Sequence, residues 1–201
     1  MQIISNRSHP QRAFTLVELL IVISIIAILA GLGFPALTAA KNAARKTQTA
    51  SLLNTIKIGI TAYMTEYGRL PDIGSASSDE EYRSDSQEFK TLVNTLSGAK
   101  DDDAEAIRLN PRRIPFCDFQ AKDFKNGSIS SHELVDAWKR PFYIILDFNY
   151  DNLIDQNAIG QNMPAELKPD DDISGNVALW SQGAAVTPEK MKRSDLVSTW
   201  R

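Results

Sequence analysis

Residues 14–40 form a run of apolar and small residues in which Glu18 is the only charged side chain. A helix needs about 20 apolar residues to cross a hydrocarbon core of about 30 Å, so this run is long enough to span a membrane. It is longer than the apolar core of about 7 to 15 residues found in cleaved secretory signals. A core helix buried on all sides is the alternative, because no polar face interrupts the run. We predict a membrane-spanning helix.

Glu18 and Pro35 are the two residues that do not fit a simple membrane helix. An ionised carboxylate is costly inside a membrane, and such groups usually face a partner. Two interpretations of Glu18 remain open: it pairs with a positive charge in a packed assembly, or it snorkels to the headgroups. Pro35 lacks a backbone N–H, which predicts a kink or local unwinding, or the end of the helix at the membrane surface.

Apolar residues continue after Pro35 at steps of three and four, which predicts a continued helix with one apolar stripe. The stripe comprises Leu53, Ile56, Ile60, Tyr63 and Tyr67. A helix from Phe14 to about Tyr67 would be about 80 Å long, and Gly68 is placed to stop it. Residues 72–85 have the composition of a loop, and residues 101–103 that of a solvated turn. A shorter stripe ended by Gly98 predicts a second helix: Phe89, Leu92, Val93 and Leu96.

The C-terminal half is typical of β-strands. Short runs rich in aromatic and branched residues alternate with turn clusters, and we predict an antiparallel sheet from them. The predicted strands lie within residues 114–119, 129–136, 141–149, 176–181 and 195–200. Asn126 followed by Gly127 indicates a type I′ turn. Helix first and strands afterwards predict an α+β fold, with the sheet covering one side of the helix.

Composition argues against two functional classes. The chain has 201 residues with a formal charge of −3 and no basic stripe, so nucleic acid is not an expected partner. Its one cysteine, Cys117, lies in an apolar patch and is expected to be a buried structural residue. With two histidines, His9 and His132, the sequence offers no Ser/His/Asp or Cys/His arrangement. We predict a protein that is not an enzyme.

The segment FTLVELLIVISIIAIL resembles the N-terminal signature of type IV pilins and type II secretion pseudopilins. The resemblance implies cleavage by a prepilin peptidase between Ala13 and Phe14 and N-methylation of Phe14. It also implies that Glu18 guides assembly by meeting the amine of a neighbouring copy, and that Pro35 weakens the helix. Ala13 departs from the glycine usual in the family, so processing is expected to survive but more slowly.

A second segment, DAWKRPF, resembles the DPWGNPY segment of type II secretion major pseudopilins. The matching residues are Asp136, Trp138, Pro141 and Phe142, whereas Ala137, Lys139 and Arg140 depart. Physically, Trp138 and Phe142 are expected to anchor the core rather than to form a binding platform.

The resemblance implies a pilin-like structural subunit of a type II secretion pseudopilus, a periplasmic filament that drives protein secretion. The expected parts are a basic leader at 1–13, a transmembrane and assembly helix at 14–35, the periplasmic half of the helix at 36–70 and a globular head at 71–201. The expected partners are further copies of the chain, prepilin peptidase, the inner-membrane assembly platform and minor pseudopilins. The expected location is the inner membrane, with a single span and the head in the periplasm.

Three alternatives come from neighbouring and distant classes. A type IV pilin or a minor pseudopilin shares the N-terminal signature, although major adhesive pilins usually close their C-terminal region with a cysteine pair. A membrane-anchored periplasmic binding domain would share only the N-terminus. An anchored hydrolase would need an acid/base pair that the sequence does not offer.

The segment DFNYDNLID is the candidate metal site. Its oxygen-bearing residues follow the first half of an EF-hand loop, the calcium-binding pattern: Asp147, Asn149, Asp151 and Asp155. Asn152 replaces the expected glycine and Ala158 the bidentate glutamate, so an Asx-rich hairpin turn is the alternative. Major pseudopilins bind calcium in the head, but the corresponding later loop, SQGAAVTPEK, is poor in acids here.

Overall fold

The computed structural model describes residues 14–74, 78–100 and 103–200. The chain divides into two compact units between Lys41 and Asn42. The long helix α1, Leu16–Tyr67, supplies both the first unit and the start of the second. The leader, including Ala13, lies outside the described residues.

The C-terminal part of α1 forms one wall of the main core. Leu53, Ile56, Ile60 and Tyr63 are almost completely buried, as the stripe predicts, while Tyr67 is half-buried. The helix ends where predicted, because Gly68 adopts a φ of 70° and donates its N–H to the Met64 carbonyl at 2.8 Å.

Two short helices follow. Helix α2, Gln87–Leu96, buries the predicted stripe, and its N-terminus is capped by the Ser86 hydroxyl. Helix α3, Ala104–Leu109, was not predicted; Asp103, expected in a solvated turn, caps it by accepting bonds from the N–H groups of residues 105 and 106. Asp101 and Asp102 lie outside the described residues.

The strands of the described residues are β1 Glu80–Arg83, β2 Tyr143–Leu146, β3 Leu153–Ile154, β4 Ile173–Ser174, β5 Val177–Ser181 and β6 Val197–Ser198. Four of them form an antiparallel sheet in the order β1-β2-β5-β6, and β3 and β4 form a separate antiparallel pair. The predicted α+β fold is therefore confirmed: a long N-terminal helix packs against a small antiparallel sheet. Strand β1 was wrongly expected to be part of a loop.

Both faces of the sheet are buried. Ile144 and Leu179 join α1 and α2 in one hydrophobic cluster, whereas Ile145 and Trp180 join a second cluster formed with the later loops. Alternate residues of each strand thus enter opposite cores, which explains why β2 and β5 are continuous apolar runs rather than alternating ones.

Two predicted strands are wrong. Residues 114–119 form no strand, because the N–H groups of Phe116 and Cys117 both donate to the Leu96 carbonyl at the end of α2. Within residues 129–136, a 3₁₀ turn, Ile129–Ser131, is followed by a local bridge between Leu134 and Phe124.

The chain reverses before this bridge through the turn predicted at Asn126. Asn126 and Gly127 have φ values of 54° and 70°, and the Ser128 N–H bonds the Lys125 carbonyl. Positive φ at both central residues is the type I′ geometry.

Candidate functional site

The N-terminus of α1 is organised by a capping box. The Glu18 carboxylate accepts bonds from the Thr15 backbone N–H at 2.9 Å and from the Thr15 hydroxyl at 2.8 Å. The Glu18 N–H in turn donates to the Thr15 hydroxyl at 3.2 Å. This reciprocal pairing satisfies donors that a helix start otherwise leaves free, and an acid in the first turn complements the helix dipole. The sequence analysis missed Thr15, although Thr-x-x-Glu before an apolar run is the usual signal.

The apolar side chains that follow are exposed in a single copy of the chain. Phe14 is 76% exposed and Leu16 is 86% exposed, and large apolar residues remain exposed as far as Leu29. The Ser24 hydroxyl, the next polar group, donates to the Leu20 carbonyl of its own helix. A contiguous apolar surface of this kind marks a site that lipid or other protein covers.

Helix α1 continues through Pro35 without ending there. In the part of the chain that the structure describes, no helix reaches the length and hydropathy required of a membrane span.

The segment 136–142 is a tight loop built around a buried acid. One oxygen of Asp136 accepts bonds from the N–H groups of Trp138 and Arg140, at 2.8 and 2.9 Å. The other oxygen accepts the Ser181 hydroxyl at 2.8 Å, which ties the loop to β5. Burial raises the pKa of Asp136, although these hydrogen bonds oppose the shift.

The same loop is attached to α1 and to the later loops. The Ala137 N–H donates to the buried Thr49 hydroxyl at 3.1 Å. The guanidinium of Arg140, one of the residues that depart from the family segment, donates to the carbonyls of Gly183 and Ala185. The loop is thus tied to α1, to β5 and to the loop that follows β5.

The two aromatic residues of the segment differ in burial. Phe142 is fully buried and packs edge-on against Phe89 at 5.5 Å between ring centroids, as predicted. Trp138 is only half-buried and borders a surface cavity of about 300 Å³ beside Lys46. The expectation that Trp138 is a core anchor is wrong, because this side chain belongs to neither hydrophobic cluster.

The predicted metal-binding residues lie in the loop after β2, where most of them form turns. The Asn149 side chain accepts the Asp151 N–H, Asp151 accepts the Leu153 N–H, and Asp155 accepts the Asn157 N–H. These are Asx turns. Within residues 14–74, 78–100 and 103–200, no group of three or more His, Cys, Asp or Glu side chains is placed to hold a metal ion.

The sequence analysis missed an acid beside this loop. Asp79, just before β1, accepts the Asp155 N–H at 2.8 Å. Burial raises the pKa of Asp79, and the nearby charges of Asp147, Asp151 and Asp155 act in the same direction. No local motif could have revealed it, because β1 and β2 are brought together by sheet pairing.

Cys117 is buried against α1, where its thiol donates to the Thr55 carbonyl at 3.5 Å. Burial raises the pKa of the Cys117 thiol to about 12, so it is overwhelmingly protonated at neutral pH.

Comparison with known proteins finds a family match in the N-terminal part of the chain. The family described as the prokaryotic N-terminal methylation motif matches residues 8–34, which include Phe14, Glu18 and the exposed apolar surface. No curated protein and no solved structure matches the chain. The N-terminus therefore carries the signature of type IV pilin-like proteins, the class that prepilin peptidase processes.

Proposed function

We propose that this chain, whose N-terminus carries a pilin-like methylation motif, is a structural subunit of a type II secretion pseudopilus. The observation that supports this best is the exposed apolar surface of residues 14–29, which begins with an acid in the first helical turn. Before assembly, copies of the chain reside in the inner membrane with the head in the periplasm. Prepilin peptidase cuts between Ala13 and Phe14 and methylates the new amine.

Assembly, rather than catalysis, is the proposed activity. The Glu18 carboxylate of one copy meets the Phe14 amine of a neighbour, and both charges are neutralised within the packed bundle. Apolar helices then cover one another, and within lipid the gain comes mainly from packing. Pro35 lets the helix adjust during this packing, because it removes one backbone hydrogen bond. The assembly platform and minor pseudopilins are the proposed partners in building the filament.

The secretion class is preferred over a type IV pilin because of the loop around Asp136. Four residues of this loop match the major pseudopilin segment: Asp136, Trp138, Pro141 and Phe142. The chain also has one cysteine, so it cannot form an internal disulfide. A membrane-anchored binding domain would share the N-terminus but would not require Glu18 to assemble.

The test is the intact mass and N-terminal sequence of the full chain from cells with and without prepilin peptidase. We expect a mature chain that begins at methylated Phe14. Ala13→Gly, which restores the family residue, serves as the matched control and should be processed faster. A chain that retains Met1 in the presence of the peptidase, while the control is cut, would contradict processing of the natural sequence.

Filament formation separates the classes. Glu18→Ala should be processed normally but should not enter filaments in cells that carry a type II assembly platform. Filaments that form only with a type IV pilus platform would favour the pilin alternative. Processing without self-association under either condition would favour an anchored binding domain.

A further inference from the structure

Two carboxylate oxygens are buried without a hydrogen-bond partner at the edge of the sheet. They are Oδ1 of Asp79 and Oδ1 of Asp147, and the Asp147 residue as a whole is 0% exposed. A buried charge without a partner is costly, and each such group in a native structure requires an explanation.

Strand pairing brings these two acids close to each other. Strand β1 pairs antiparallel with β2 in the register Glu80 to Leu146, and Asp79 and Asp147 are the residues that adjoin this last pair. They are close enough for the charge of Asp147 to raise the pKa of Asp79, and like charges so near each other are destabilising. Something must offset the repulsion between them.

The remaining oxygen of each acid is held by the loop after β2. Asp79 Oδ2 accepts the Asp155 N–H at 2.8 Å. Asp147 Oδ2 accepts the Asn152 N–H at 2.9 Å and the Asn176 side-chain amide at 2.8 Å. Both carboxylates are therefore held in place while one oxygen of each stays unsatisfied.

The described residues that line the neighbouring cavity supply further oxygens but no positive charge. A cavity of about 290 Å³ is lined by Asp79, Asn149 and Asp155, among others. Such a cavity has room for an ion and several waters. The ion pairs of the described residues involve none of these acids.

We propose that this cluster binds a divalent cation, with Asp79 and Asp147 as its two carboxylate ligands and calcium as the preferred ion. Calcium accepts carboxylates, amide and backbone carbonyls and water in flexible geometry, which suits a site with two acids, Asn149 and a solvated cavity. The site differs from the one expected from the loop sequence alone because it needs Asp79 from a distant segment. Few charged ligands predict the weak affinity of extracellular calcium sites, with Kd of about 10⁻⁴ to 10⁻³ M.

Bound calcium would tie β1, an edge strand, to the loop that follows β2. The proposal is independent of filament assembly and of processing, so its failure would leave the proposed function untouched.

The test is thermal unfolding and calorimetric titration of the full chain in detergent, with calcium chloride against a chelator. We expect about 10 mM calcium to raise the unfolding temperature by about 3 to 10 °C, given the affinity above. Asp79→Asn and Asp147→Asn keep an acceptor oxygen but remove a charge. Each should weaken calcium binding about tenfold or more, because calcium prefers charged oxygen ligands.

The chelator condition separates a lost ligand from a damaged fold. Without calcium, both Asn variants should be at least as stable as the natural chain, because each removes one of two repelling charges. Asp118→Asn, an exposed acid elsewhere, is the matched control and should keep the full calcium response. An unfolding temperature that rises on acidification but not with calcium would overturn the proposal, because the acids would then be neutralised by protons.

Discussion

The Glu18 carboxylate accepts hydrogen bonds from both the backbone N–H and the hydroxyl of Thr15 in its own chain. The acid therefore stabilises the start of the helix before any neighbour is present. A carboxylate offers about four lone-pair sites, so capping the helix and pairing with a neighbour's amine are compatible.

Thr15→Ala separates these two roles of Glu18. The substitution removes the hydroxyl but keeps the acid and its bond from the backbone N–H, so we expect the helix start to be weakened and filaments to form still. Glu18→Ala should abolish filaments. Filament yield after shearing measures both variants, and equal loss in the two would indicate that Glu18 acts only as a cap.

Asp136→Ala should destabilise the head by about 2 to 4 kcal/mol. It leaves the Ser181 hydroxyl and two backbone N–H groups without their acceptor, and unsatisfied buried groups carry most of that penalty. Asp136→Asn keeps an acceptor oxygen and should cost less. Urea unfolding followed by tryptophan fluorescence measures the loss, and a change below about 0.5 kcal/mol for the Ala variant would contradict the role of the loop.

Glu81 should make stability depend on pH. Burial raises its pKa above the ordinary value of 4.5, although bonds from the Trp180 indole and the Gly160 N–H oppose the shift. Because the folded state holds the proton more tightly, the contribution of Glu81 is fully present below its unfolded pKa. It is lost as pH rises through the folded pKa.

Glu81→Gln provides the matched comparison for this prediction, because it keeps an acceptor for Trp180 without a titrating group. The natural chain should lose stability relative to this variant as pH rises from about 4.5, the unfolded pKa, through the higher folded pKa. Urea unfolding across this range measures the difference. A constant difference would show that Glu81 has the same pKa in both states.

Gly183→Ala should destabilise the head by about 3 kcal/mol or more. Gly183 has a φ of 59°, and an added Cβ would overlap the Asp195 carbonyl oxygen. Gly68→Ala is the control, since Gly68 has a φ of 70° but open space around it, and it should cost only about 1 kcal/mol. A similar loss of unfolding free energy for the two variants would mean that small backbone shifts relieve the overlap at little cost in stability.

The Cys117 thiol should react slowly in the folded protein. Burial raises its pKa to about 12, and the reactive thiolate is therefore scarce at pH 8. Labelling by a thiol reagent should accelerate strongly in urea, where the thiol is exposed. Fast labelling of the folded chain, at a rate independent of urea, would contradict a buried Cys117.

Local pattern predicted much of the helical structure. The steps of three and four from Leu53 to Tyr63 identified the buried face of α1, and Gly68 marked its end. The type I′ turn at Asn126 followed from two adjacent residues that tolerate positive φ.

Long-range pairing was the main source of error. Strand β1 consists of Glu80–Arg83, a charged segment without strand periodicity, and it is a strand because β2 offers it a partner. The apolar residues 114–119 form no strand, because their N–H groups bond the end of α2. Gly59 leaves room for Cys117 against α1, where any Cβ would meet the thiol.

The sequence by itself determined the long helix and the apolar surface at its start, because each depends on residues within a turn or two of one another. The Thr15–Glu18 cap, which the sequence analysis missed, is equally local. Only the tertiary structure decided that the loop around Asp136 joins α1 to β5 and that Asp79 lies near Asp147. Such contacts join distant segments. Which segments pair depends on how the whole core packs rather than on any local pattern.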